Sequence, residues 1–300
     1  MKDKLSVMFK IIRPHHIYKN LLIFFPLFLT FYPSLDIYIS NFLLLAFSFF
    51  SFTLITWIVY ITNDLVDQRS DSMHFKKKFR PIASGDLNNA QAIFLIIFLA
   101  SVFYLTLLSF NPKSYLAVIL VYVLINFLYS VLGFKRIPIL EMVIVASGYP
   151  IRILLGVTTL NEQISSWFFF ITMSFAIGLI ASKRYAEKMN SASNPLSSPR
   201  DVLSSYSQYF LLSFILLSFI SSFISYLIYS QSLDVIDRYG ANIFISAFFF
   251  LMIITEYLRV FFLNSATYSE DPVRLFINTR SLNLVIFLYL LSIISIYNFL

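Results

Sequence analysis

Apolar residues run through this chain in long blocks separated by short polar gaps, and that pattern carries the first prediction. Stretches of roughly 16–24 residues recur, each near the ~20 needed for a helix to cross a bilayer. They fall at about 20–34, 41–62, 91–110, 114–133, 139–157, 166–182, 208–230, 241–263 and 283–300. The expected fold is therefore all-α: a polytopic membrane protein of nine transmembrane helices forming one domain over residues 1–300. Gaps as short as 111–113 and 134–138 make the flanking helices antiparallel neighbours. Ahead of the first block, residues 1–19 mix charges with apolar positions and lack a cleavage site after an apolar core. They read as an amphipathic segment at the membrane surface, not a signal peptide.

Composition sharpens the reading. The chain is 59% hydrophobic and only 12% charged, whereas soluble domains carry about 25% charge. Too little charge remains to clothe a water-soluble core of this size, so lipid is the expected solvent for much of the surface. With no cysteine, disulfides, thiolate metal sites and a Cys nucleophile are excluded. Of the 22 Lys and Arg, eighteen lie in the N-terminal segment and alternate loops, while the opposite loops hold only Lys113 and Arg238. Basic residues favour the cytoplasmic side. The expectation is a multi-pass protein of the cytoplasmic (inner) membrane, with the N-terminus and long polar loops inside the cell. The same distribution explains the net charge of +7 without nucleic acid, for which no binding module is present.

The candidate chemistry begins where the second span ends, at Asn63-Asp64-Leu65-Val66-Asp67-Gln68-Arg69-Ser70-Asp71. At 100° per residue Asn63, Asp64, Asp67 and Asp71 share an arc of roughly 100° on one helix face. Carboxylates that close repel one another and are expensive near lipid, unless a divalent cation is shared among them. Hard oxygen ligands suit Mg²⁺, which typically bridges carboxylates to substrate phosphates. Next comes His74-Phe75-Lys76-Lys77-Lys78-Phe79-Arg80-Pro81-Ile82-Ala83-Ser84-Gly85, whose cations could neutralise phosphate oxygens beyond the metal's reach. The turn in Arg-Pro-Ile-Ala-Ser-Gly is expected to point Arg80 back at the acids.

This acidic motif with its basic sequel resembles the first signature of the UbiA prenyltransferase superfamily. The resemblance implies a nine-helix bundle with a cytoplasm-facing active-site cavity and Mg²⁺–diphosphate bound on Asn63, Asp64, Asp67 and Asp71. Prenyl-transferring members carry a second acidic motif, Asp-x-x-x-Asp, in the sixth–seventh loop. Here the segment reads Ala181-Ser182-Lys183-Arg184-Tyr185-Ala186-Glu187-Lys188, with two adjacent cations and a single acid, a pattern suited to an anionic acceptor. Further segments, Arg13 to Asn20, Lys135 to Glu141, Ser147 to Arg152, Glu256 to Arg259 and Glu270-Asp271-Pro272, make the chain similar to the decaprenyl-phosphate phosphoribosyltransferase branch. It departs from that branch at Glu141 (usually Asp), at Phe75 (usually Pro) and at Thr279 (commonly Asp).

The branch resemblance implies transfer of 5-phosphoribosyl from phosphoribosyl diphosphate to a polyprenyl phosphate for cell-envelope polysaccharide precursors. The alternative is a UbiA-type prenyltransferase acting on an aromatic or quinone-precursor acceptor. Asp64, Asp67 and Asp71 are the expected catalytic, metal-holding residues. Lys77 and Arg80, assisted by Lys19, are expected at the diphosphate; Asn20, Asn63 and Lys135 are further expected substrate-binding residues; and Lys183, Arg184 and Arg152 are expected at the lipid phosphate. Arg152 lies three helical turns from Glu141, ~16 Å along the axis. That distance disfavours an ion pair between them and favours a phosphate partner. The chain could also assemble with copies of itself.

Overall fold

The computed structural model describes residues 4–29, 34–74, 77–109, 113–193, 201–264, 275, 276 and 278–298. Every regular element among them is helical. Six helices there are long and apolar enough to cross a membrane: Leu35–Val66, Asn89–Leu108, Leu140–Thr159, Ser166–Ser191, Gln208–Ser230 and Ala241–Leu263. The other three expected spans fall on shorter apolar helices over Ile17–Phe28, Tyr115–Ser130 and Arg280–Ile296. Lys2, Phe75, Lys76, Arg200, Glu270, Asp271, Pro272 and Arg274 lie outside the described residues.

The chain divides into two compact units, residues 1–144 with 148–163, and 145–147 with 164–300. The first is organised around α3 (Leu35–Val66), a helix of 32 residues. Ser34 caps its start by accepting a hydrogen bond from the Ile37 N–H at 3.3 Å. Two apolar clusters flank α3. One gathers Leu45, Phe52, Ile55 and Val59 with Ile23, Tyr122, Ile151 and Leu155. The other joins Leu54 and Ile61 to Ile11, Ile82 and Leu99. Ile11 belongs to the short helix α1 (Lys4–Ile12), which buries Val7 and Ile11 one turn apart and leaves Met8 and Phe9 outside. Through Ile11 this short helix packs on the protein itself.

The first span departs from the expected long α-helix. Residues Pro14–Phe24 form a 3₁₀ helix, and Pro26 opens a single α turn, α2 (Pro26–Leu29). Proline has no N–H, so Pro26 cannot donate the i→i+3 bond that would engage the Ile23 carbonyl in a 3₁₀ helix. That carbonyl points instead at α7 (Leu140–Thr159), where Gly156 permits contact: a Cβ there would lie 2.1 Å from Ile23 O.

The remaining helices of the first unit are α4 (Gln68–Ser72), α5 (Asn89–Ser109) and α6 (Lys113–Ser130). The second unit pairs α8 (Ser166–Ser193) antiparallel with α9 (Gln208–Ser230). Ser222 Oγ donates to the Ile171 carbonyl at 2.9 Å, and Gln208 reaches the Tyr185 hydroxyl at 3.1 Å. Gly178 faces the Phe219 ring, a small residue admitting a large one. After α10 (Leu233–Tyr239), helices α11 (Ser246–Asn264) and α12 (Arg280–Asn298) complete the unit. Here Tyr226 bonds Ser246 at 2.7 Å and Tyr289 at 3.0 Å, so three helices share one buried hydroxyl network.

Substituting Gly156→Ala should therefore destabilise the protein by about 1–3 kcal/mol through overpacking. Thermal unfolding in detergent micelles would show it, and an unchanged midpoint would refute the close helix approach.

Candidate functional site

The acidic motif sits where α3 gives way to α4. The helix does not run through it unbroken: Asp67 stands between α3 and α4 with φ −91° and ψ 2°. Two bonds preserve the helical register, Asp67 N–H to Asn63 O at 2.9 Å and Asp71 N–H to Asp67 O at 2.8 Å. Asp64 and Asp71 are each 2% exposed, whereas Asp67 and Asn63 are half-buried. A carboxylate so deeply buried needs a partner or a proton.

The partners are cations drawn from three separate segments. Arg80 Nη1 donates to Asp71 Oδ2 at 2.5 Å and to Asp64 Oδ1 at 3.1 Å, so one guanidinium nitrogen joins the two buried acids. Lys77 stands 3.7 Å from the other oxygen of Asp71. Arg13 pairs with Asp64, and Lys135 pairs with Asp67. Among the described residues four cations thus face three carboxylates. The surplus positive charge suits a bound polyanion better than a bare cation.

Local structure explains why these groups converge. Arg80 follows a 3₁₀ turn over Lys77–Phe79, and Pro81 comes next. Ile82 is then fully buried against α3, which anchors the loop, and Gln68 donates to its carbonyl at 3.4 Å. Gly85 supplies the left-handed turn, φ +78°, that ends the loop. The expected return of Arg80 to the acids is what this loop produces. Arg13 has left-handed backbone angles, φ 48° and ψ 64°, immediately before Pro14, and its guanidinium also lies 5.4 Å above the Tyr60 ring. Near Lys135, Ile139 adopts φ 66° and ψ −51° while the Leu140 N–H bonds Pro138 O at 2.7 Å. That is a strained γ-turn, rare for a β-branched residue. Such backbone outliers tend to cluster at functional sites.

The donor set fits a hard divalent ion. All four motif side chains offer oxygen, and Asp64 Oδ2 is buried with no hydrogen-bond partner among the described residues. Among the described residues no three acidic side chains already converge as metal ligands, each acid being drawn onto its basic neighbour instead. A metal ion would replace those contacts and release the cations toward its anionic ligand.

The other expected residues distribute as follows. Asn20 is buried and bonds Thr53 at 3.0 Å and Thr56 at 3.5 Å, and it also accepts a bond from Arg152 at 2.8 Å. Lys19 is half-buried, 5.9 Å above the Tyr18 ring. In the second unit Arg184 is 2% exposed and donates to Glu187 at 2.8 Å. Glu187 is therefore a partner of Arg184, where helix spacing alone suggests the i−4 residue Lys183; Lys183 is half-buried. Glu141 is fully buried. Arg259 is exposed and paired with Glu256 at 2.6 Å. Arg13 is the residue that the sequence reading passed over as a site residue. Its signal, an Arg before Pro at the head of an apolar block, says nothing of a left-handed turn.

Residues 21–187 match the UbiA prenyltransferase family. The chain belongs to that family. Among its relatives, decaprenyl-phosphate phosphoribosyltransferase of Mycobacterium tuberculosis is 30% identical over 164 residues, covering 55% of this chain and 53% of that protein. The Mycolicibacterium smegmatis protein of the same name is 29% identical over 190 residues, 62% and 58% of the two chains. An uncharacterized protein, y4nM of Sinorhizobium fredii, is 31% identical over 65% of this chain and 36% of its own length. The matches span about a third to just over half the length of these curated relatives. A UbiA homolog from Archaeoglobus fulgidus bound to GPP and Mg²⁺ superposes with a TM-score of 0.66 over 97% of this chain and 99% of that one, at 14% identity. The UbiA fold is thereby established.

Removing Arg80 tests the charge balance of this UbiA site. Arg80→Ala should lower the stability of metal-free protein by about 3–5 kcal/mol, because two buried carboxylates lose their shared partner. Millimolar Mg²⁺ should then raise the melting temperature more in the variant than in the native protein. Equal shifts in both would argue that these carboxylates do not hold metal.

Proposed function

We propose that this UbiA-family protein is a Mg²⁺-dependent transferase that moves 5-phosphoribosyl from phosphoribosyl diphosphate to a polyprenyl phosphate. The observation that carries the reading is the composition of its polar sites. One acidic cluster stands amid four cations, and the segment that carries acids in prenyl-transferring members presents Lys183 and Arg184. Two anionic substrates must meet, and fixed positive charge offsets their repulsion. The phosphoribosyltransferase names of the mycobacterial relatives agree with it. A nine-helix arrangement in the cytoplasmic membrane, with the acidic cluster on the cytoplasmic side, completes the reading.

Asn63, Asp64, Asp67 and Asp71 would hold Mg²⁺, which when bound stabilises negative charge on the departing diphosphate. Arg13, Lys77, Arg80 and Lys135 would turn from the carboxylates to the diphosphate oxygens, with Lys19 assisting. The bond from the anomeric carbon to the diphosphate oxygen breaks as an acceptor phosphate oxygen bonds to that carbon from the opposite side, inverting the centre. Oxocarbenium character develops on the ribose, as in glycosyl transfer generally. A phosphate monoester is already ionised at neutral pH, so no side chain need remove a proton. Lys183 and Arg184 would bind the acceptor phosphate, with Glu187 orienting Arg184.

Membranes containing the protein, given labelled phosphoribosyl diphosphate and polyprenyl phosphate, should form a lipid-linked ribose phosphate. Prenylation of an aromatic acid in place of that product would transfer the protein to the prenyltransferase branch. In the same assay Asp64→Asn and Asp67→Asn should abolish the Mg²⁺-dependent product while leaving the protein inserted, and full activity in either variant would remove the metal assignment.

A further inference from the structure

Deep in the first unit lies a cation that the acidic cluster does not engage. Arg152 is 6% exposed, yet among the described residues its hydrogen bonds go only to neutral groups. Its Nε donates to Asn20 Oδ1 at 2.8 Å, and its Nη1 donates to the Gly148 carbonyl. The rings of Phe52 and Tyr122 each lie 5.4 Å from the guanidinium carbon. No hydrogen bond is made by Nη2 among the described residues. A buried guanidinium without a carboxylate is costly unless an anion completes it.

The surroundings leave room for one. Apart from its chain neighbours and the backbone of its own helix, a Cβ on Gly148 would meet only Arg152 Nη1, at 3.0 Å, among the described residues. The glycine therefore opens space directly against the guanidinium, which Asn20 and the two rings hold in place. The two flanking residues, Phe52 and Tyr122, share a packed apolar cluster with Ile55, Ile151 and Leu155, which suits a compact ligand better than a long alkyl chain.

Distance indicates which compact anion. Asn20, which holds Arg152, bonds Thr56 of α3. Asp64 lies eight residues further along, ~12 Å at the rise of an α-helix. The 3₁₀ segment offers a second measure: Arg13 at the acids and Asn20 at Arg152 are seven residues apart, ~14 Å at its rise. Two anion sites so separated, narrowed by the reach of the side chains at each end, outline a small ligand with phosphate groups at both ends.

We propose that Arg152, set by Asn20 and Gly148, receives a phosphate monoester, the 5-phosphate of the donor, apart from the acidic cluster that takes its diphosphate. The inference rests on the phosphoribosyl reading above. It reassigns Arg152 from acceptor to donor, so that the donor is read at both ends.

Calorimetric binding to the full chain in nanodiscs tests this with four probes: ribose 5-phosphate, Mg²⁺–pyrophosphate, phosphoribosyl diphosphate and farnesyl phosphate. Arg152→Gln should weaken ribose 5-phosphate about tenfold or more, the loss of a charge-assisted bond pair, and leave Mg²⁺–pyrophosphate within about twofold. Retained pyrophosphate binding also reports an intact fold. Gly148→Val keeps the arginine but fills the space beside it, and should give the same selective loss should the Gln variant not fold. Unchanged ribose 5-phosphate binding in both variants, with native phosphoribosyl diphosphate binding intact, overturns this inference alone. Selective loss of farnesyl phosphate returns Arg152 to the acceptor and overturns it too. A native protein that binds Mg²⁺–pyrophosphate but neither ribose compound overturns the phosphoribosyl reading and this inference together.

Discussion

Two buried carboxylates side by side are the constraint to which the first unit answers. Asp64 and Asp71 are almost wholly enclosed, and like charges at such depth cannot both remain ionised without compensation. Arg80 supplies it from a loop whose anchor, Ile82, is itself part of the apolar core. Arg13 supplies more from the start of the 3₁₀ segment. Core packing and site electrostatics are therefore not separable here. The residues that seal α3 against its neighbours also bring the cations to its end.

Irregular backbone concentrates where these cations are placed. The left-handed Arg13, the γ-turn at Ile139 and the interruption at Asp67 each lie at a helix terminus. A regular helix spreads its side chains evenly around an axis and cannot gather groups from distant segments onto one spot. Departures at the termini accomplish that, and the long helices between them hold the geometry fixed. Arg152 reaches the same end differently, by curling back along α7 over a glycine.

Much of this was legible from residue order. Lengths of apolar blocks located the six long helices, and the motif Asn63–Asp71 together with the Arg-Pro-Ile-Ala-Ser-Gly turn announced both the acids and the return of Arg80. Both signals are local: apolar periodicity and turn chemistry are properties of adjacent residues. Less local features escaped. An apolar block does not announce the 3₁₀ form of residues 14–24, and the pairing of Arg13 with Asp64 joins residues fifty-one positions apart. The i+4 spacing of Lys183 and Glu187 was readable, but the bond from Arg184 at i−3 rests on how deeply that side chain is enclosed. Spacing also implied a phosphate for Arg152 without disclosing Asn20 as its support.

The length of α3 has a mechanical consequence. Its 32 residues extend ~48 Å at the rise of an α-helix, against ~30 Å for the hydrocarbon of a typical bilayer. The excess length is taken up by tilt or by projection of the polar helix ends beyond the lipid. Since Asp64 lies in the last turn, the height of the acidic cluster relative to the hydrocarbon would follow the thickness of the membrane. A thinner bilayer would lift the acids toward water, and a thicker one would draw them toward the headgroups.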